Sequence, residues 1–168
     1  MRLKFSFFLI LLFVNCKGQT KAPAGSKFTF WASSLVNDKT HEVITYYVTQ
    51  DSIIVKEGAG WDFLEKDKIG FSAKFTKQEQ VDINSIAATL NGVSLKSFYY
   101  NPCIVQGVTH EFAFNWDNHT KRTTLSNYYL DEIGEFVNFI NKKVPGEFSM
   151  LYDKAKLQND LKNCSTTK

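Results

Sequence analysis

The sequence has little of what membrane spans and nucleic-acid-binding proteins require. Its one long apolar run, residues 5–14, holds about ten residues, fewer than the roughly 18 to 20 that cross a bilayer core. The net charge of +3 falls to about +1 once the two cations before that run are removed, so charge gives no argument for nucleic-acid binding. No internal repeat or low-complexity segment is present. These absences leave a globular protein with no evident activity.

The residues that carry most enzyme chemistry are few and scattered. The three histidines, His41, His110 and His119, share no motif, and His119 follows Asp117 in a predicted turn, where both residue types are common for conformational reasons. Gly58-Ala59-Gly60 precedes no helix and lacks the Lys-Ser/Thr that phosphate binding uses. The carboxylates are dispersed, so no glycosidase pair is assigned. We therefore assign no catalytic residue, no metal site and no cofactor.

The three cysteines suggest two different roles. Cys16 follows the apolar run, whereas Cys103 and Cys164 belong to the rest of the chain. If Cys16 is acylated, Cys103 and Cys164 are the pair left for a disulfide, which an exported compartment permits. Such a bond would close a loop of about 60 residues and stabilise the fold by roughly 4 kcal/mol. Two unbonded thiols, with Cys103 as a candidate nucleophile, are the alternative.

The N-terminus has the layout of a secretory signal, because a short basic segment precedes the apolar run and polar residues follow it. Residues 12–16, Leu-Phe-Val-Asn-Cys, resemble a lipobox, at which a signal peptidase cuts before a cysteine that then receives acyl chains. Phe13 and Asn15 depart from the usual pattern and are similar to the looser lipoprotein signals of Bacteroidota. The resemblance implies lipidation of Cys16 and an anchor in the cell envelope. Ordinary secretion, with cleavage after Ala24 or Cys16, is the alternative.

The rest of the chain predicts one domain with an α+β fold. Beyond a signal peptide over residues 1–15, we expect a flexible tether over residues 16–27, a single domain over residues 28–164 and a disordered tail over residues 165–168. Alternating strands and two helical patterns predict a mainly antiparallel sheet, packed on one face by two helices, plus a short C-terminal helix.

The boundaries of the first helix have recognisable signals. Residues 76–79, Thr-Lys-Gln-Glu, have the spacing of a capping box and predict its start. Asn91-Gly92 predicts a left-handed stop. The apolar side of this helix is predicted to contain Val81, Ile86, Ala87 and Leu90.

The second half of the chain is rich in aromatic residues. Residues 104–108 are predicted to form a strand, a glycine turn and a second strand. Asn127 is the predicted cap of a helix that ends before Pro145. One parity of the strand before it is predicted to face the core: His110, Phe112, Phe114 and Trp116.

Aromatic residues outside these patterns are candidates for partner contact. Period-2 or helical geometry turns one ring of a tyrosine doublet outward unless both faces are covered, and exposed rings are typical of protein or carbohydrate contact. Burial of the rings by the tail or by loops is the alternative. The candidates are Trp61, Tyr99, Tyr100, Tyr128 and Tyr129.

Two further resemblances concern exported proteins. Asp51-Ser52-Ile53 resembles the sequon for O-glycosylation in exported Bacteroidota proteins, which makes Ser52 a candidate acceptor, with an unmodified Asp-Ser turn as the alternative. The segment NYYLDEIGEFVNFINKKVP, followed by a tail that contains Cys164, is similar to small, uncharacterised, lipoprotein-like exported proteins of Bacteroidota. This resemblance covers about the last seventy residues and implies no activity.

These observations favour a membrane-tethered, non-enzymatic binding or protein-interaction module of the periplasm or outer membrane. Its expected partners are the membrane, through the lipid anchor, and an envelope protein or a carbohydrate, with no nucleic acid. The alternatives are an envelope hydrolase whose site is assembled from dispersed residues and a secreted, non-lipidated binding protein. A concave pocket with several titratable groups would favour the hydrolase, whereas a flat aromatic patch would favour binding.

Overall fold

The protein forms one seven-stranded sheet with its helices on a single face. A computed structural model describes residues 27–37, 42–59, 68–104 and 107–166. Predictions for Cys16, His41 and Trp61 lie outside these ranges. The elements are β1 (Phe28–Asn37), β2 (Glu42–Val48), β3 (Ser52–Ala59), β4 (Lys68–Lys74), α1 (Lys77–Gly92), β5 (Phe98–Tyr100), β6 (Thr109–Trp116), β7 (His119–Ser126), α2 (Asp131–Lys143), a 3-10 turn (Gly146–Phe148) and α3 (Lys154–Thr166).

The sheet confirms the predicted α+β class. Its strand order is β4-β3-β2-β1-β6-β7-β5. Neighbouring strands are antiparallel, except that β5 runs parallel to β7 at one edge. The central strand β1 pairs with β2 and with β6, so the chain builds one half of the sheet as a meander and adds the other half after α1.

The core is built around Phe136 of α2. Its ring centroid is 5.5 Å from those of Phe30 and Phe114 and 6.4 Å from that of Phe112. All four rings are almost fully buried, and burial of a side chain of this size stabilises a fold by about 1.5 to 3 kcal/mol. The prediction that the His110 to Trp116 parity faces the core is confirmed.

The predicted capping box at the start of α1 is confirmed. The backbone N–H of Glu79 donates to Thr76 Oγ1 at 3.3 Å, and the backbone N–H of Thr76 donates to Glu79 Oε2 at 2.7 Å. Glu79 also accepts from Lys143 Nζ at the end of α2, at 2.9 Å. These donors, the Thr76 backbone first, lower the pKa of the Glu79 carboxyl. The box therefore fixes the helix start and also joins α1 to α2.

The predicted left-handed stop of α1 is wrong. Gly92 is the last residue of the helix, and Val93 caps it with an extended backbone. A lysine from the sheet satisfies the terminal carbonyls instead: Lys121 Nζ donates to the backbone oxygens of Leu90, Asn91 and Val93 at 3.1, 2.6 and 2.6 Å. A cation at the negative end of the helix dipole makes a left-handed glycine unnecessary.

The buried side of α1 also differs from the prediction in its second turn. Ile83, Ala87 and Leu90 are buried, whereas Val81 is 61% exposed. Positions 83, 87 and 90 follow a four-three spacing and share one helix face, and Val81, two residues before Ile83, is therefore turned away from the core.

The connection around Asn127 differs from both predictions made for it. Leu130, not Asn127, precedes the first turn of α2, and it makes no side-chain cap. Asn127 has a φ of 50°, and its Oδ1 accepts from the backbone N–H of Val108 at 3.0 Å. Of residues 104–108, the described ones form no strand. The carboxamide of Asn127 thus supports this loop, where we had expected a strand pair.

The predicted disulfide is present. Cys103 and Cys164 are bonded, with a Cα separation of 5.5 Å and a sequence separation of 61. The bond ties the end of α3 to the turn that follows β5. Among the described side chains of α3, Leu157 and Cys164 are the buried ones. None of the helices in the described ranges is long and apolar enough to span a membrane.

Candidate functional site: the open face of the sheet

One face of the sheet contacts the helices, and the other, which we call the open face, points away from them. Register assigns strand residues to each face, because alternate side chains project to opposite sides. The open face contains Thr29, Trp31, Ser33, Val43, Thr45, Tyr47, Ser52, Ile54, Lys56, Ile69, Ser72, Lys74, Phe98, Tyr100, Thr109, Glu111, Ala113, Asn115, Thr120, Arg122, Thr124 and Ser126.

A row of apolar side chains crosses the middle of the open face. Trp31 on β1 is directly opposite Tyr47 on β2 and Ala113 on β6. Ile54 extends the row at one end and Arg122 at the other. Five strands about 4.8 Å apart give this row a width of about 19 Å. The small side chain of Ala113 leaves a gap between the larger side chains of Trp31 and Arg122.

Exposed hydrophobic side chains are concentrated on the open face. Among the described residues, six large hydrophobic side chains are exposed, and four of these are on this face: Ile54 (37%), Ile69 (58%), Phe98 (50%) and Tyr100 (56%). The rings of Phe98 and Tyr100 stack on each other, with their centroids 5.5 Å apart. Ile54 and Ile69 lie near one edge of the sheet and Phe98 and Tyr100 at the other, with the half-buried rings of Trp31 and Tyr47 between them. Exposed hydrophobic side chains that share a face mark an interaction site more often than scattered single residues do.

The charge of the open face is mainly positive. Lys56, Lys74 and Arg122 project from it, and Glu111 is the one carboxylate among its described residues. Lys56 Nζ lies 5.2 Å from the ring centroid of Tyr47. Lys74 and Arg122 are exposed. The face therefore combines aromatic rings, hydroxyl groups and cations.

The predicted tyrosine contacts are divided between the two faces. Tyr100 belongs to the open face and is exposed. Tyr99 and Tyr128 are half-buried on the helix side, with ring centroids 5.4 Å apart. Tyr129 stacks on Tyr152 at 4.7 Å. Packing thus explains three of these tyrosines and leaves Tyr100 as a surface ring.

Ser52, the candidate glycosylation site, lies where the β2–β3 turn enters β3. Its Oγ donates to Asp51 Oδ1 at 3.1 Å and is 2.9 Å from Thr49 Oγ1. These two hydroxyls, that of Thr49 first, lower the pKa of the Asp51 carboxyl. The next residue, Ile53, is fully buried.

The described histidines occupy structural positions. His110 is buried, and its Nε2 donates to the carbonyl oxygen of Leu151 at 3.0 Å. Burial lowers the pKa of His110 to about 4. The ring of His119 stacks on Trp116, with centroids 4.9 Å apart, and its Nε2 is 2.8 Å from Asn91 Oδ1. In the described ranges no three His, Cys, Asp or Glu side chains form a group that could hold a metal.

A cleft of about 550 Å³ lies on the other side of the molecule, beside α3. Val108, Leu151 and Leu157 give it apolar walls, and Asp153 and Lys156 lie at its lining. The Asp153 carboxylate accepts from the backbone N–H of Lys156 at 2.9 Å, and Lys156 Nζ pairs with Asp160 at 2.8 Å. Its charged groups are thus engaged in the first turns of α3.

No family model, curated protein or solved structure that we compared matches this chain. Function must therefore be argued from the surface itself.

Sequence reasoning missed Trp31, Tyr47 and Arg122 as surface candidates. The available signal was parity: Trp31 lies between Phe30 and Ala32, which are both fully buried. Once that is fixed, a tryptophan on the opposite parity must face outward or meet a second layer.

Proposed function

We propose that the protein is a membrane-tethered, non-enzymatic binding module of the cell envelope and that it contacts its partner through the open face. The observation that carries this proposal is the grouping of Ile54, Ile69, Phe98 and Tyr100 with the central pair Trp31 and Tyr47 on one face. The size of the face also suits binding. Seven strands of about seven residues cover on the order of 700 Å², close to the roughly 800 Å² that each partner contributes to a stable interface.

The anchor is the second part of this proposal. Acyl chains on Cys16 would hold the protein at a membrane, and a tether over residues 17–27 would let the domain move on the order of 15 to 20 Å from it. The backbone N–H of Lys27 donates to Asp117 Oδ2 at 3.2 Å, so the described chain begins beside the β6–β7 turn. The Cys103–Cys164 bond is in keeping with an exported compartment.

Site-specific photocrosslinking tests the role of the open face. A benzoylphenylalanine is placed at Tyr47 or at Phe98 of the full-length protein, in cells of its source, and the cells are irradiated. We expect a crosslinked species of higher mass than the protein from both positions. The matched control is the same group at Val81, which is 61% exposed on α1 and should give none. Equal crosslinking from all three positions, or none from the open face, would contradict the proposal.

Intact mass of the protein from its membrane fraction tests the anchor. We expect a mass equal to residues 16–168 plus acyl chains, with two hydrogens fewer than the reduced protein. A Cys16→Ser variant should leave the membrane fraction. A hexose-sized addition to the mass that is lost in the Ser52→Ala variant would show that Ser52 is glycosylated. An unacylated mass would refute the lipoprotein part of the proposal and favour a secreted protein.

A further inference from the structure

The open face carries a charge that differs from that of the helical side. Its described strand residues include three cations and the single carboxylate of Glu111. The helices α1, α2 and α3 carry six carboxylates and six lysines, so their charges balance. A surface with this asymmetry attracts polyanions and repels partners of the same sign, which sets both the rate and the specificity of encounter.

The central row offers a stacking platform beside a cation. The face of an aromatic ring is electron-rich, so it attracts the weakly positive C–H groups on the flat side of a sugar ring. Trp31 and Tyr47 are adjacent across two strands. Arg122 is two strand spacings, or about 10 Å, beyond Trp31, with only the methyl group of Ala113 between them. A sugar stacked on Trp31 would thus have a bidentate donor for an acidic group within reach of the flexible arginine.

Hydroxyl groups surround this platform. Thr29 and Ser33 flank the row on β1, and Thr124 lies beside Phe98 at the β5 edge. Each hydroxyl can both donate and accept, as sugar hydroxyls require. An extended sheet surface suits an extended chain better than a small molecule, which is usually enclosed in a concave pocket.

We propose that the partner of the open face is an anionic polysaccharide, a chain of sugar rings that carries carboxylate or phosphate groups. This inference rests on the proposed function, because it names the ligand of the same surface. The rings stack along Trp31 and Tyr47, and the acidic groups pair with Arg122 and Lys74. Charge complementarity selects the acidic chain, and the aromatic row selects sugar rings over an acidic polypeptide.

Four soluble polymers of different chemistry test this inference on the full-length protein purified in detergent. Polygalacturonate is an acidic glycan, dextran a neutral glycan, polyglutamate an acidic polypeptide and oligothymidylate a nucleic acid. We expect polygalacturonate to bind at least tenfold more tightly than the other three, with an affinity that falls as salt rises from 50 to 500 mM. A Trp31→Ala change should weaken binding at least tenfold.

Exposed positions keep the test valid if Trp31→Ala fails to fold. Arg122→Gln should weaken polygalacturonate binding about tenfold and flatten its salt dependence. Two controls on the helical side, Val81→Ala and Lys142→Gln, should bind as the parent protein does. Polyglutamate or oligothymidylate binding as tightly as polygalacturonate would overturn the inference, and so would the absence of polygalacturonate binding. In either case crosslinks from Tyr47 and Phe98 in cells would show that the open face still binds a partner, whereas their loss would refute the proposed function itself.

Discussion

Removal of the Cys103–Cys164 bond should release α3 before the sheet unfolds. The bond closes a loop across 61 residues. In the chain-entropy account a loop of this length restricts the unfolded chain by about 14 cal/mol/K, or about 4 kcal/mol at 25 °C. The other buried contact of α3 is Leu157, which contributes roughly 2 kcal/mol. Because an isolated helix shorter than about 15 residues is marginal in water, α3 should fray once the bond is lost.

The assay is hydrogen exchange and urea unfolding of the Cys103→Ala/Cys164→Ala variant. Amides of α3 should lose protection, amides of β1 and β6 should keep theirs, and the urea midpoint should fall by about 2 M for a typical slope of about 2 kcal/mol/M. Each single variant should behave as the double variant does, because each breaks the same bond. A double variant with an unchanged midpoint and a protected α3 would refute the reasoning.

Three further predictions concern the helix ends and the buried histidine. Lys121→Met should destabilise the fold by about 2 to 3 kcal/mol in urea titrations, because three carbonyls at the C-terminal end of α1 lose their donor. Lys142→Met at the exposed end of α2 should cost less than about 1 kcal/mol. Equal losses would contradict the cap. Gly92→Ala should stabilise the protein by about 0.5 to 1 kcal/mol, because a Cβ at this position contacts no other atom and the backbone is helical. A lower stability of this variant in thermal unfolding would instead support the left-handed stop. Burial lowers the pKa of His110 from 6.5 to about 4, so between these pH values the imidazole is protonated in the unfolded chain and neutral in the folded protein. The free energy of unfolding should therefore fall by about 3 kcal/mol as the pH is lowered from about 6.5 to 4. His110→Gln, which can still donate to Leu151, should remove this part of the pH dependence.

The fold class could be predicted because its signals are local. The alternation around Phe112 and the capping box at Thr76 each act within a few residues of chain. The same is true of the acidic first turn and the basic last turn of α2. The end of α1 could not be predicted, because the group that caps it, Lys121, comes about thirty residues later and reaches the helix only through the register of β7. The parallel pairing of β5 with β7 is equally non-local.

The candidate surface shows the same division. A period-2 pattern places Trp31 and Tyr47 on the parity opposite to the core, but it does not say whether a second layer covers that parity. Burial of Tyr99 and Tyr128 against each other depends on the parallel pairing of β5 with β7, which brings the residues after β7 close to Tyr99. Exposure of Phe98 and Tyr100 follows from the same pairing, since alternate residues of a three-residue strand face opposite sides. The doublets alone could not distinguish these outcomes.

Oxidative footprinting tests the central claim, that the open face is the binding surface, most directly. Hydroxyl radicals modify exposed side chains, and the rates are compared between the protein in its native envelope and the purified protein. We predict that Trp31, Tyr47, Phe98 and Tyr100 are protected in the envelope, while Val81 is modified at the same rate in both samples. Equal rates for the four aromatic residues in the two samples, or protection of Val81 alone, would contradict the account.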